Sequence, residues 1–295
     1  MNLGISLPVF TADPRRPLEV AARAAALGVD GVFSPDHLFP PALYPSSGPD
    51  RPALEAFSVL SAVAALHPHL RVGTLVARVT LRAPGLLAKQ AAGLDAMSEG
   101  RAILGLGAGD RASRPEHERF GLPFPPASER IALLEETASA MRSLFAGRDW
   151  PGGRYVAPMT GPLLRPGSPE IWIGGLSDAV VGVAARQADV WNGWGLNEES
   201  FAERATFLRE MAQGRDVSSS WGGIALVGED RSDLDKLIAA RRESDRSVEQ
   251  MWIGTAEQLR EFTRSLEGAG CSWFVVLPLG PADRIDLIAE TLRGR

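Results

Sequence analysis

The sequence predicts an α/β protein folded as a (β/α)8 TIM barrel with extended loops. Three observations carry that expectation: eight short apolar runs, helix-spaced segments between them, and no linker or repeat that divides the chain. The runs are Leu3 to Leu7, Gly31 to Ser34, Arg71 to Ala77, Ala102 to Leu106, Glu170 to Ile173, Asp189 to Gly193, Gly223 to Val227 and Trp273 to Leu277. They are nearly continuous in apolar residues, as expected of parallel strands buried on both faces.

The length of 295 residues is compatible with one unit, because barrels of about 250 residues fold around a single core. One domain over residues 1–295 is therefore expected. The first helix carries its own signals: Asp13 as N-cap, Pro14 in the first turn, apolar Leu18, Ala22 and Ala25, then Gly28 as a stop. A second clear helix follows Pro84 and ends near Gly100, and the last is expected from Pro281 through Leu292. Pro40 to Pro52 and Trp150 to Pro169 are dense in Pro, Gly and Ser and predict long loops. The first follows a strand and should border the catalytic face; the second precedes one and belongs at the opposite end unless it reaches around the rim.

A net charge of −5 argues against broad attraction to nucleic acid or anionic membranes. The start MNLGISLPVF lacks the features of a secretory signal, no apolar run reaches membrane-spanning length, and Cys271 alone cannot form an internal disulfide. These features suit a reduced, cytoplasmic compartment. No metal is expected: His67 and His69 lack nearby carboxylate or cysteine partners in sequence, and zinc patterns are missing. The pair Arg241 and Arg242 reads as a solvated helix end.

Candidate chemistry gathers where strands end. Asp36 and His37 follow the second strand; they read either as a cap with a loop hydrogen bond or as a proton-handling pair. Gly105, Gly107 and Gly109 alternate before Asp110, which suits a tight turn or close approach of backbone to a ligand, with residues 110–126 expected as loop. Gly174 and Gly175 lead into a helix whose free N–H groups attract phosphate, though Ser177 or Asp178 could simply cap it. Trp191, Asn192 and Trp194 could wall a planar ring or close the barrel. Arg111 and Arg114 flank the same region.

The ordered set Val72-Gly-Thr-Leu, Leu81-Arg-Ala-Pro, Leu87-Ala-Lys-Gln, Leu94-Asp-Ala-Met-Ser-Glu-Gly-Arg and Leu104-Gly-Leu-Gly-Ala-Gly resembles the luciferase-like superfamily of barrel oxidoreductases. Glu116 with Phe120-Gly121, Arg130 ahead of Leu134-Glu-Glu, Pro169-Glu-Ile-Trp-Ile-Gly-Gly, Ala184 to Asp189, Gly254 to Leu259 and Ala269-Gly270 continue the resemblance in order. It implies a non-proline cis peptide at Leu75-Val76 supporting a cofactor ring, and cofactor contacts from Asp36, Gly107, Ala108, Gly109, Gly174 and Gly175.

The Asp36-His37 pair is more similar to the deazaflavin branch, which implies coenzyme F420 (8-hydroxy-5-deazaflavin), with FMN as the alternative. In that branch the residues matching His37 and Asp110 assist proton transfer while a hydride moves to or from a small organic substrate. Asp110 stands where those relatives carry Glu, and Pro41 where an aromatic is expected. The resemblance also implies a homodimer. Rival readings are an FMN-dependent monooxygenase and a non-catalytic flavin-binding barrel.

Overall fold

The structure is a computed structural model and describes residues 1–41, 51–161, 169–244 and 250–294. The strands are β1 (Asn2–Ser6), β2 (Gly31–Ser34), β3 (Arg71–Thr74), β4 (Ala77–Arg78), β5 (Ala102–Gly107), β6 (Glu170–Gly174), β7 (Val190–Trp194), β8 (Ser218–Gly228), β9 (Trp252–Thr255) and β10 (Cys271–Leu279). The helices are α1 (Arg15–Ala26), α2 (Ala56–Leu66), α3 (Pro84–Met97), α4 (Arg114–Arg119), α5 (Ala127–Phe145), α6 (Asp178–Gln187), α7 (Glu198–Ala212), α8 (Arg231–Glu243), α9 (Ala256–Gly268) and α10 (Arg284–Arg293).

Every strand pair is parallel, and the order β1-β2-β3-β5-β6-β7-β8-β10 closes on itself through the β1–β10 pairing. Closure makes this a (β/α)8 barrel, as the sequence predicts. The short β4 continues the third barrel position and pairs with β5. The strand expected over 71–77 is divided at the Leu75-Val76 peptide bond, which is cis. β8 begins five residues before the expected Gly223, because its polar start Ser218–Trp221 is paired on one side with β7 and on the other with β10. β9 was not anticipated; it lies against β8 outside the closed ring.

The barrel interior is filled by side chains. Phe33 lies 5.2 Å from Trp172 and 5.6 Å from Trp273, ring centre to ring centre, and Leu75, Ile103, Val190 and Val275 complete the cluster. Such a packed interior leaves function to the loops at the strand ends. A larger apolar layer joins the outer faces of the strands to the helices. Trp191 belongs to that outer layer, stacked on Phe201, so it does not wall the mouth. Trp194 instead packs against the interior cluster.

The end holding the strand N-termini is fastened by arginines that take helix C-terminal carbonyls, groups with no partner of their own within the helix. Arg101 donates to the carbonyls of Ala64, His67 and Leu70 beyond α2. Arg215 donates to Ala185 and Ala188 at the end of α6, and Arg142 to Gln187. Helix starts are capped by side chains: Glu55 for α2, Ser177 for α6, Asn197 for α7, Asp230 for α8 and Thr255 for α9. α1 begins at Arg15, one turn position later than expected, with Asp13 reaching forward to the Arg15 N–H.

The segment after α5 returns along that helix: Glu136 accepts the N–H groups of Arg154, Tyr155 and Val156. It brings Met159 to the N-terminus of α3, where a β-carbon on Gly85 would meet the Met159 sulfur at 3.2 Å. This segment therefore climbs back toward the rim instead of staying at the far end. Most of the predicted loop from Pro40 to Pro52, and residues 162–168 of the second loop, lie outside the described residues.

Cys271 is buried, and burial pushes its thiol up to about 12. Since the thiolate is the reactive form, Cys271 should resist iodoacetamide in the folded protein and react only in denaturant; mass spectrometry checks this. Ready alkylation under native conditions would show that β10 opens locally. Among the described residues no helix is long and apolar enough to cross a membrane.

Candidate active site

The C-terminal ends of β2, β4, β5 and β6 converge on one charged network and one apolar ledge. β2 delivers Asp36 and His37. Asp36 is 4% exposed, accepts both guanidinium nitrogens of Arg82 at 2.6 and 3.0 Å, and accepts the Arg78 main-chain N–H at 3.1 Å. Its carboxylate is thus enclosed by this chain's own donors. The reason is Arg82, in the Leu81-Arg-Ala-Pro stretch, which also reaches Glu55 at the start of α2.

His37 is three-quarters buried, its ring edge-on to Phe10. Its Nδ1 lies 2.8 Å from Glu116 Oε1. A carboxylate has no proton to give, so Nδ1 carries the hydrogen and donates. Among the described residues Nε2 takes no hydrogen bond.

Glu116, on α4, is 1% exposed. Besides His37 it accepts the Leu38 main-chain N–H at 2.7 Å and the Arg78 guanidinium at 2.6 and 3.1 Å. Burial acts to raise its pKa, yet the hydrogen bonds and charges of His37 and Arg78 outweigh it and hold the carboxyl at about 2. Arg78, itself buried, also donates from Nε to the Asp36 carbonyl at 3.0 Å.

α4 replaces part of the loop expected over 110–126. Asp110 caps the 3-10 turn Arg111–Ser113 that leads into it: its Oδ1 accepts the Ser113 N–H and hydroxyl, forming a capping box. The carboxylate that meets His37 is therefore Glu116, while Asp110 retains Oδ2 without a hydrogen bond among the described residues. The neighbouring His117 is fully buried between Thr80 and the Ser113 carbonyl, and burial lowers its pKa. Phe120 stacks on Phe39, and Arg119 lies over the same ring, so α4 is bound to the β2 loop by apolar contact as well.

The ledge is Val76. A β-carbon on Gly107 would stand 2.5 Å from one Val76 methyl, and one on Gly174 2.8 Å from the other. The space beside these two glycines is thus filled by Val76. A β-carbon on Gly105 would stand 2.1 Å from the Thr74 carbonyl oxygen. The carbonyls of Ala108 and Gly109 accept from Arg130, which fixes the turn after β5; Gly109 takes φ +71° there.

At the β6–α6 turn, Gly175 has φ +149° and gives its N–H to the Asn192 carbonyl at 3.2 Å. Among the described residues the N–H groups of Leu176, Ser177 and Asp178 make no hydrogen bond, while that of Val180 goes to the Ser177 hydroxyl and the Asp178 carboxylate is paired with Arg204. Asn192 is buried and donates to Ser220.

Sequence reasoning singled out His37 and the strand-end glycines but missed Arg78, and noted Arg82 and Glu116 only as matches in a series. A glutamate four residues before Phe120-Gly121 was the available signal for the latter. A cavity of about 490 Å³ lies at the opposite end, lined by Asp30, His67, His69, Arg71 and Trp273 among others. Its Asp30 is paired with Arg293 and Arg71 with Glu170. Among the described residues no three His, Cys, Asp or Glu side chains are grouped to hold a metal ion.

The luciferase-like monooxygenase family matches residues 1–275. The F420-dependent glucose-6-phosphate dehydrogenase of Beutenbergia cavernae is 25% identical over 276 residues, covering 83% of this chain and 80% of that one. Among solved structures, an F420-dependent secondary alcohol dehydrogenase in complex with an F420-acetone adduct superposes with TM-score 0.81 at 19% identity, covering 98% of this chain and 97% of that one. EDTA monooxygenase from Chelativorans sp. BNC1 superposes with TM-score 0.79 at 15% identity, covering 100% and 94%. With a match over nearly the whole length, the chain belongs to the luciferase-like monooxygenase family.

Proposed function

We propose that this chain is a deazaflavin-dependent oxidoreductase that uses coenzyme F420 to move a hydride to or from a small organic substrate. The observation that carries the reading is His37, held at the strand ends with one ring nitrogen bound to Glu116 and the other without a hydrogen bond among the described residues. The F420-dependent relative supports the choice of coenzyme.

The residues at the mouth fit a planar ring. Leu75 and Val76 form an apolar support, with Val76 held by Gly107 and Gly174, and Trp194 packs on the same interior cluster. Ala108 and Gly109 border it from β5, and Asp36 contributes through the chain path that it fixes. Gly174 and Gly175 open the turn whose following N–H groups would receive a phosphate. When bound, the deazaflavin supplies two-electron hydride chemistry, its ring carrying carbon where a flavin has N5. His37 takes or gives the accompanying proton at Nε2, and Asp110 stands as its counterpart through Oδ2.

The test is a paired fluorescence titration of the purified chain with F420 and with FMN, followed by turnover screens on alcohols, carbonyls and activated alkenes. Selective F420 binding is expected, and His37→Asn should then cut turnover by about 10²–10⁴-fold while leaving coenzyme affinity within about twofold. Tight FMN binding with weak F420 binding would transfer the chain to oxygen-dependent chemistry. Coenzyme binding without turnover that either His37→Asn or Asp110→Asn alters would leave a binding protein.

A further inference from the structure

We infer that Glu116 is a positioning residue that sets which nitrogen of His37 faces the ligand. The inference deepens the proposed function and rests on its assignment of proton transfer to His37. One carboxylate holds His37 at two places. Oε1 takes the ring Nδ1, and Oε2 takes the N–H of Leu38, the next residue in the chain. Arg78 adds a third hold from the other side, with Nε on the carbonyl of Asp36, the preceding residue. The main chain on both flanks of His37 is thereby fixed by the same buried ion pair that orients its ring.

Charge balance explains why Glu116 can do this without a proton from His37. The two enclosed carboxylates, Asp36 and Glu116, face two guanidiniums, Arg82 and Arg78, and the exposed Glu55 pairs with Arg82 alone, so Glu116 has its counter-charge before the ring is counted. Arg78 supplies the counter-charge that keeps Glu116 ionised, hence purely an acceptor. An acceptor-only partner selects the neutral tautomer with hydrogen on Nδ1, and the lone pair is then on Nε2. The ring meets its ligand as a hydrogen-bond acceptor, ready to receive a proton from a group that arrives carrying one. A neutral amide in place of Glu116 would present both donor and acceptor and remove that selection.

The test is long-range 1H–15N correlation of the full chain labelled with 15N-histidine, without coenzyme, at an alkaline pH where imidazoles are neutral. There are four histidines, and His37 is identified by the signal lost in His37→Asn. The expected spectrum shows pyrrole-type nitrogen at Nδ1 and pyridine-type at Nε2, and Glu116→Gln shifts both toward averaged values. Hydrogen on Nε2 in the unaltered chain overturns the inference, as does an unchanged tautomer in folded Glu116→Gln. If Glu116→Gln does not fold, the unaltered chain still decides. Because no coenzyme is added, failure of the F420 titration and failure of this inference are separate results.

Discussion

Replacing Glu116 by alanine is expected to destabilise the fold by about 3–5 kcal/mol, because it leaves the buried Arg78 guanidinium without its counter-charge. A urea midpoint at neutral pH measures this. The same residue sets an acid limit. Its pKa in the fold is about 2 against an ordinary 4.5. A carboxyl with a depressed folded value stabilises above its unfolded value and loses that contribution as pH falls through the folded one. The window is therefore from 4.5 down to about 2, and the amount is about 3 kcal/mol. His117 adds loss of the same sign at higher pH, since burial lowers its pKa below 6.5 and the fold favours its neutral ring. The unaltered chain should weaken in two stages on acidification, and Glu116→Ala should lack the lower one. An unchanged urea midpoint, or a full lower stage in the variant, would refute the account.

Alanine at Gly105 is expected to be the other severe change. Its β-carbon would stand 2.1 Å from the Thr74 carbonyl oxygen, an atom of the main chain that no side-chain rotation removes. A loss of about 3 kcal/mol or failure to accumulate as soluble protein should result. At Gly107 the obstacle is a Val76 methyl at 2.5 Å, so alanine there should cost about 1–3 kcal/mol. Val76→Ala should restore most of the loss at Gly107 and none at Gly105. Thermal unfolding of the two single and two double variants reads the difference. Equal rescue at both positions would mean that Val76, not the Thr74 carbonyl, is the obstacle at Gly105 as well.

These sites show where sequence reading succeeds. The strands were legible because burial on both faces leaves them few polar residues, and their observed bounds mostly fall within a residue or two of the expected ones. β8 was misjudged because its start, Ser218-Ser-Ser-Trp-Gly-Gly, is polar and small; Ser220 there accepts from Asn192 inside the barrel. β9 was missed because a four-residue strand at the outer edge carries too little pattern. Asp36 and His37 could be placed at the mouth because their position follows directly from the end of β2. Their partners could not: Arg78 and Glu116 are separated from them by 42 and 79 positions at the contacts with Asp36 and His37. Only closure of the barrel brings those positions together. The capping by Asp110 was not legible because it depends on the following turn, whose helical character a Gly-, Arg- and Pro-containing stretch conceals.

The arginine fastening at the closed end has a practical consequence for handling the protein. Of its 31 basic residues only Lys89 and Lys236 are lysines. Both lie within helices, on α3 and α8, and both are exposed. Amine-reactive dyes, cross-linkers and activated surfaces therefore have two side-chain targets besides the terminal amine, and none of the guanidiniums that hold helix ends or the His37 network is among them. Random amine coupling should attach at no more than these three places and leave the arginine contacts chemically unaltered.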